Sequence, residues 1–100
     1  MKVRVYYLRG RPDHSVQEAQ SIQKWMLDNL YDLVWEAEFK NLVTPDIIAR
    51  KFRLEPNPFG ISFRQKNSHA DLSVGDVIQI GPTNYLVLPE GCREMSGGTP

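Results

Sequence analysis

Asp71-Leu72-Ser73-Val74-Gly75-Asp76-Val77-Ile78-Gln79-Ile80-Gly81-Pro82-Thr83-Asn84-Tyr85-Leu86-Val87-Leu88 is one bend followed by a hairpin. Ser73-Val74-Gly75-Asp76 has turn composition, and Gly75 can take a positive φ without a Cβ penalty. Asp76 is expected to order this bend through an Asx-type hydrogen bond rather than to bind a metal. Val77, Ile78 and Ile80 are β-branched and suit a half-buried pleated surface. Gly81-Pro82-Thr83-Asn84 interrupts the run, Tyr85-Leu86-Val87-Leu88 resumes it, and Pro89 stops it. Two apolar runs around a cluster of turn formers predict a hairpin with strands at 76–80 and 85–88.

Upstream of the hairpin, residues 2–8 alternate Val3, Val5 and Tyr7 with Lys2, Arg4 and Tyr6, as a half-buried strand does. Ser15-Val16-Gln17-Glu18 has the pattern of a capping box. Ala19, Ile22, Met26 and Leu30 fall on one helical stripe, which predicts an amphipathic helix over 16–29. Residues 32–39 alternate charged and apolar side chains, with Val34 alone out of step, and predict a second strand. Thr44-Pro45-Asp46 is a helix start, with Thr44 as cap and Pro45 in the first turn. The helix expected over 45–53 buries Ile47, Ile48, Phe52 and Leu54, and the prolines at 56 and 58 end it.

These elements give an α+β fold with a single small mixed or antiparallel sheet. The strands are 2–8, 32–39, 76–80 and 85–88, and helix 16–29 covers one face with the short helix 45–53 beside it. Val3, Val5, Leu33 and Trp35 are expected on the covered face, under Ile22 and Met26. At 100 residues the chain is long enough for one core and too short for a second. The domain is expected to occupy 1–95, with Ser96-Gly97-Gly98-Thr99-Pro100 as a flexible tail.

Composition narrows the function classes. Twelve basic and twelve acidic residues leave no net charge, so nothing steers a polyanion or a membrane surface globally. No apolar run approaches a bilayer span, and the first one is short and carries Arg4. A soluble cytoplasmic protein without membrane association is therefore expected. Cys92 is the single cysteine, which removes any intrachain disulfide. With Arg93 beside it, a lowered thiol pKa is conceivable, yet a lone cysteine more often packs as a small apolar residue. His14 and His69 lie in loops without ligand spacing and read as solvated side chains. Glu36 and Glu38 share one strand face and read as solvated charges rather than an acid–base pair. There is no phosphate-binding glycine loop, and no metal or cofactor is expected.

Residues 50–66 are the main candidate surface. Arg50, Lys51, Arg53, Arg64 and Lys66 are opposed only by Glu55 and interleave with Phe52, Phe59 and Phe63. Cations beside stacking rings are the chemistry of single-stranded nucleic-acid recognition. The alternative is that Phe52 and Phe63 belong to the core and the cations merely solvate the surface. Asp28, Asp32, Glu36 and Glu38 form an opposing acidic set, and such bipolarity suits protein docking.

Three segments together resemble the YodL-like domain: Tyr31-Asp32-Leu33-Val34-Trp35-Glu36, Ile48-Ala49-Arg50-Lys51-Phe52 and Leu72-Ser73-Val74-Gly75-Asp76-Val77-Ile78. The similarity runs over 31–95 and closes with Tyr85-Leu86-Val87 and Gly91-Cys92. Arg53 stands where that family usually has Asn, the 57–70 loop is longer, and Ala70-Asp71 replaces a Ser-rich lead-in. The resemblance implies an accessory protein of a conjugative element or phage, conceivably in counter-defence, and carries over no catalytic residue. A non-enzymatic module binding a host or mobile-element protein is the first expectation. A single-stranded nucleic-acid-binding domain is the second.

Overall fold

The computed structural model describes residues 1–9, 21–22, 24–64 and 72–97. In chain order the elements are β1 (Lys2–Leu8), β2 (Ser21–Ile22), α1 (Lys24–Leu30), β3 (Tyr31–Glu38), α2 (Pro45–Leu54), a 3-10 turn (Pro58–Gly60), β4 (Val77–Ile80), β5 (Thr83–Leu88) and β6 (Gly91–Gly97). They build one sheet in the order β2-β6-β5-β4-β1-β3. Five strands run antiparallel, and the two-residue β2 joins β6 in parallel. The fold is α+β with a single sheet, as the alternation patterns predict.

The bend at 73–76 holds three strands in register. Gly75 has φ +98°, the left-handed region in which only glycine is unstrained. The Asp76 carboxyl group is 1% exposed and accepts the backbone N–H of Ser73 at 2.7 Å and of Leu8 at 2.8 Å. The first bond is local, as expected, but runs back three residues to Ser73 rather than forward as in an Asx turn, whereas the second reaches the end of β1. The Tyr31 hydroxyl donates to the Gly75 carbonyl at 2.7 Å, and Val87 closes the bend from β5 by bonding both Gly75 and Asp76.

β3 carries a bulge. Val5 pairs with Trp35 and Tyr6 with Leu33, which leaves Val34 without an opposite residue. The one residue that breaks the sequence alternation is thus the extra residue of the bulge, and it is fully buried. The shift carries Leu33 away from Trp35, to pair with Tyr6 on the other face. The sheet is covered on both faces. Val3, Val5, Trp35, Ile78 and Ile80 pack under Ile48, Ala49 and Phe52 of α2. On the opposite face Leu8, Tyr31, Val77 and Leu86 meet Met26 and Leu27 of α1. Met26 therefore packs away from Val3, Val5 and Trp35, and α2 takes the place expected for the longer helix.

The helix expected over 16–29 is corrected. Ser21 and Ile22 are strand residues paired with Ser96 and Gly97, α1 begins only at Lys24, and 16–20 lie outside the described residues. Pairing with a distant strand overrides the helical stripe at these positions. α1 then runs into β3 without a connecting loop, Leu30 and Tyr31 being adjacent. The hairpin is tighter than expected, because Ile80 pairs with Thr83 and only Gly81 and Pro82 remain in the turn. Gly81 at φ +58° followed by proline has the sign pattern of a type II′ turn. The last strand was not anticipated, and Ser96 and Gly97, expected in a flexible tail, belong to it.

Replacing Asp76 with Ala leaves two N–H groups without their acceptor, so stability should fall by about 3–5 kcal/mol. Asn at 76 keeps one acceptor oxygen and should lose less. Urea denaturation of the three proteins measures the order, and equal midpoints would mean that the bend does not depend on the carboxyl group. At Gly75 a valine meets the left-handed penalty of roughly 1–2 kcal/mol. Its melting temperature should drop by roughly 5–10 °C. Ser73→Ala should cost about 1 kcal/mol or less, since the Ser73 contact to Asp76 comes from the backbone.

Candidate functional site

α2 determines where Arg50, Lys51 and Arg53 stand. Thr44 caps it by accepting the Ile47 N–H at 3.3 Å, and Pro45 occupies the first turn. Ile48, Ala49 and Phe52 face the sheet. Ile47 and Leu54, expected in the buried side, are instead 48% and 69% exposed. They lie seven residues apart on one stripe, with Arg50 between them, and face solvent with the arginines.

The cations of 50–66 divide into three groups. Arg50 and Arg53 are exposed and line a groove of about 830 Å³ between α2 and the β5–β6 turn. Neither has an ion-pair partner among the described residues. Lys51 points elsewhere: it bonds Glu55 at 2.9 Å and lies 5.6 Å from the centre of the Phe59 ring. Arg64 reaches the far edge of the sheet, 3.4 Å from Glu36. Lys66 lies outside the described residues, as do His14 and His69.

The phenylalanines are committed to packing. Phe52 is 3% exposed and meets Trp35 edge-on at 5.2 Å between ring centres. Phe63 packs on Phe52 at 5.4 Å and Tyr7 at 6.2 Å. Phe59 is held at φ +56°, uncommon for a bulky residue, and its ring rests on Phe39 and Trp35. Glu55 steadies this conformation by accepting the Phe59 N–H at 3.1 Å. The hydrogen bonds from Lys51 and from that amide hold the Glu55 carboxyl below its ordinary pKa. The rings thus form a wall around Trp35, whose indole N–H donates to the Ile61 carbonyl at 3.0 Å.

Leu72, Val74 and Val87 make the apolar floor of the groove, with Cys92 among them, and exposed Leu54 borders it. Burial pushes the Cys92 thiol pKa up, Asp46 adds to the rise and Arg53 opposes it. A thiol kept protonated in this way is a poor nucleophile and behaves as part of the floor. Asp46 and Glu90 also line the groove, so its rim carries both signs of charge.

The acidic set is largely engaged within the molecule. Glu36 accepts from Arg4 at 2.6 Å, with Lys2 at 3.9 Å and Arg64 nearby. Arg9 binds Asp32 at 2.8 Å. Glu38 is exposed and approaches the N-terminal amine rather than Glu36. Among the described residues no three His, Cys, Asp or Glu side chains come together as a metal site. No helix among them is long and apolar enough to cross a membrane. Comparisons of the chain with protein-family models, curated proteins and solved structures returned no match.

The signal for the groove was present in part. Arg50 and Arg53 stood out in the sequence, but Leu54 was assigned to the core, and the contribution of 87–92 needed the β5–β6 hairpin. The ion network around Glu36 has a measurable consequence. The Arg4 hydrogen bond, helped by the Lys2, Arg4 and Arg64 charges, lowers the Glu36 pKa against the rise from burial. A depressed folded-state pKa stabilises the fold above the unfolded carboxylate value and loses that contribution as pH falls through the folded value. The melting-temperature gap between wild type and Glu36→Gln should therefore be open at neutral pH. It should close as pH falls below the ordinary carboxylate range and through the lowered folded-state value. A gap independent of pH would show that the ionised carboxylate does not stabilise the fold.

Proposed function

We propose that the chain is a non-enzymatic protein-binding module that docks its partner on the outer stripe of α2 and the adjoining groove. The observation that carries this reading is the pairing of exposed Ile47 and Leu54 with Arg50 and Arg53 above an apolar floor. Arginine is among the residues enriched at binding hot spots, and apolar side chains exposed beside it supply area that a partner would bury. A host protein or a protein of a mobile element or phage is the partner class proposed, on the strength of the YodL-like motifs at 31–36, 48–52 and 72–78. An accessory or counter-defence role belongs to the same proposal.

The nucleic-acid reading draws less support. Its rings pack against one another, and Lys51 and Arg64 have carboxylate partners. Among the described residues only Arg50 and Arg53 remain of a stripe that must neutralise several phosphates.

The test compares immobilised wild type with the double variant Arg50→Glu/Leu54→Asp in a bacterial lysate, both first shown to melt alike. A protein retained by wild type and lost by the variant is expected, since removing hot-spot contacts costs about 2 kcal/mol or more each. Equal retention by both would overturn the α2 surface as the docking site. A labelled single-stranded oligonucleotide is titrated alongside at two salt concentrations. Salt-dependent binding abolished by Arg50→Glu/Arg53→Glu would replace the protein reading with the nucleic-acid one.

A further inference from the structure

We infer that α2 pairs with α2 of a second copy of this chain, antiparallel across a two-fold axis, and so covers its own docking stripe when no other protein is bound. The inference rests on the protein-binding reading of that stripe and names the occupant it has without the partner.

The first support is the order of side chains along the helix. Asp46 and Ile47 stand in its first turn, Arg50 in the middle, and Arg53 and Leu54 at its end. All five are exposed, Ile47 and Leu54 included. Each end of the stripe presents one apolar and one charged side chain, and the two end charges are opposite. Asp46, Arg50 and Arg53 have no ion-pair partner among the described residues. All three lie on the flank of α2 that borders the groove, whereas Lys51 points elsewhere, to Glu55 and Phe59.

The second support is that such a stripe is complementary to itself. A two-fold axis perpendicular to α2 near Arg50 exchanges the ends of the helix and sets groove flank against groove flank. Asp46 then meets Arg53 of the second copy, Ile47 meets Leu54 of the second copy, and each contact occurs twice. The midpoints of Asp46–Arg53 and Ile47–Leu54 lie on either side of Arg50, so one axis serves both pairs. The two Arg50 side chains approach this axis, but Asp46 of the opposite copy lies about one turn away and offsets their repulsion. A parallel pair would instead set Asp46 against Asp46 and Arg53 against Arg53, with the helix dipoles aligned. Covering Ile47 and Leu54 supplies the hydrophobic part, and the charges fix the direction. A helix of ten residues offers less contact than the roughly 800 Å² per partner of a standard interface, so the dimer should be weak and concentration-dependent.

The experiment measures the mass of the full chain in solution by sedimentation equilibrium over a series of concentrations. Wild type should pass from one chain to two as concentration rises. Asp46→Arg and Arg53→Asp each set like charges against each other twice, and each should weaken dimerisation by roughly tenfold or more. An equimolar mixture of the two variants restores opposite charges in every facing pair and should dimerise as wild type does. Leu54→Asp, which leaves the first turn of the helix untouched, should also weaken the dimer. A wild type that stays a single chain at every concentration would overturn the inference, as would a dimer indifferent to all three variants. Weakening by both charge variants without recovery in their mixture would overturn the antiparallel pairing. A single-chain wild type that still retains a lysate protein through the α2 stripe leaves the docking reading standing. Failure of that reading shows separately, as equal lysate retention by Arg50→Glu/Leu54→Asp and wild type.

Discussion

The carboxyl group of Asp76 is the contact on which the sheet depends. Its two oxygens bind amides that lie far apart in the chain, one three residues before it and one at the end of the first strand. A buried acceptor with donors on two segments fixes their separation to within hydrogen-bond tolerance. β4 leaves this point already placed against β1, and Val87 returns to the same bend to place β5. The Tyr31 hydroxyl adds the start of β3 through the Gly75 carbonyl. Gly75 makes this possible, because its positive φ turns the carbonyl and the following residue inward together.

With the strands fixed, the distribution of side chains over two faces follows. Residues two apart share a face, so the Val3-Val5-Tyr7 row sits under α2, and Leu8 joins the α1 side. The bulge at Val34 lets β3 contribute consecutive large residues, Val34 and Trp35, to the α2 core while Tyr31 serves the other face. Trp35 then gathers Phe39, Phe52 and Phe59 around it. The aromatic residues that gave 50–66 the look of a stacking platform are the lining of this core.

Much of this was legible in sequence because local signals and tertiary contacts agree. The β1 alternation, the Thr44-Pro45 start and the 73–76 bend each combine a short-range preference with the role the residue has in the fold. The disagreements have identifiable causes. Ile22 follows a helical stripe and Ser21 falls within the helix it predicts, yet their strand pairing lies with residues some 75 positions away, which no local pattern contains. β6 lacks β-branched residues, and its alternation of Cys92 and Glu94 with Arg93 and Met95 mixes polar with apolar on both faces. Ile47 and Leu54 are apolar but lie on the side of the helix away from the buried Ile48, Ala49 and Phe52, where the sheet does not reach them. A hydrophobic period specifies an angle around the helix and not the width of the surface that covers it.

The candidate surface was half legible for a related reason. A run of cations in sequence says nothing about which of them the fold will neutralise. Lys51 lies four residues before Glu55 on one helix side and is claimed locally, while Arg64 is claimed by Glu36 across the sheet edge. Arg50 and Arg53 point from α2 toward the 88–92 turn, where the lining mixes apolar side chains with Asp46 and Glu90. Both arginines also sit in the second half of the helix, where their charge opposes the negative end of its dipole. That effect explains a basic residue there, but Lys51 and either arginine alone would supply it. It does not account for exposed Leu54 next to Arg53, since an apolar side chain gains nothing from the dipole and loses by facing water. The proposed docking of a second polypeptide would cover both, giving the arginines a partner and removing Leu54 from water.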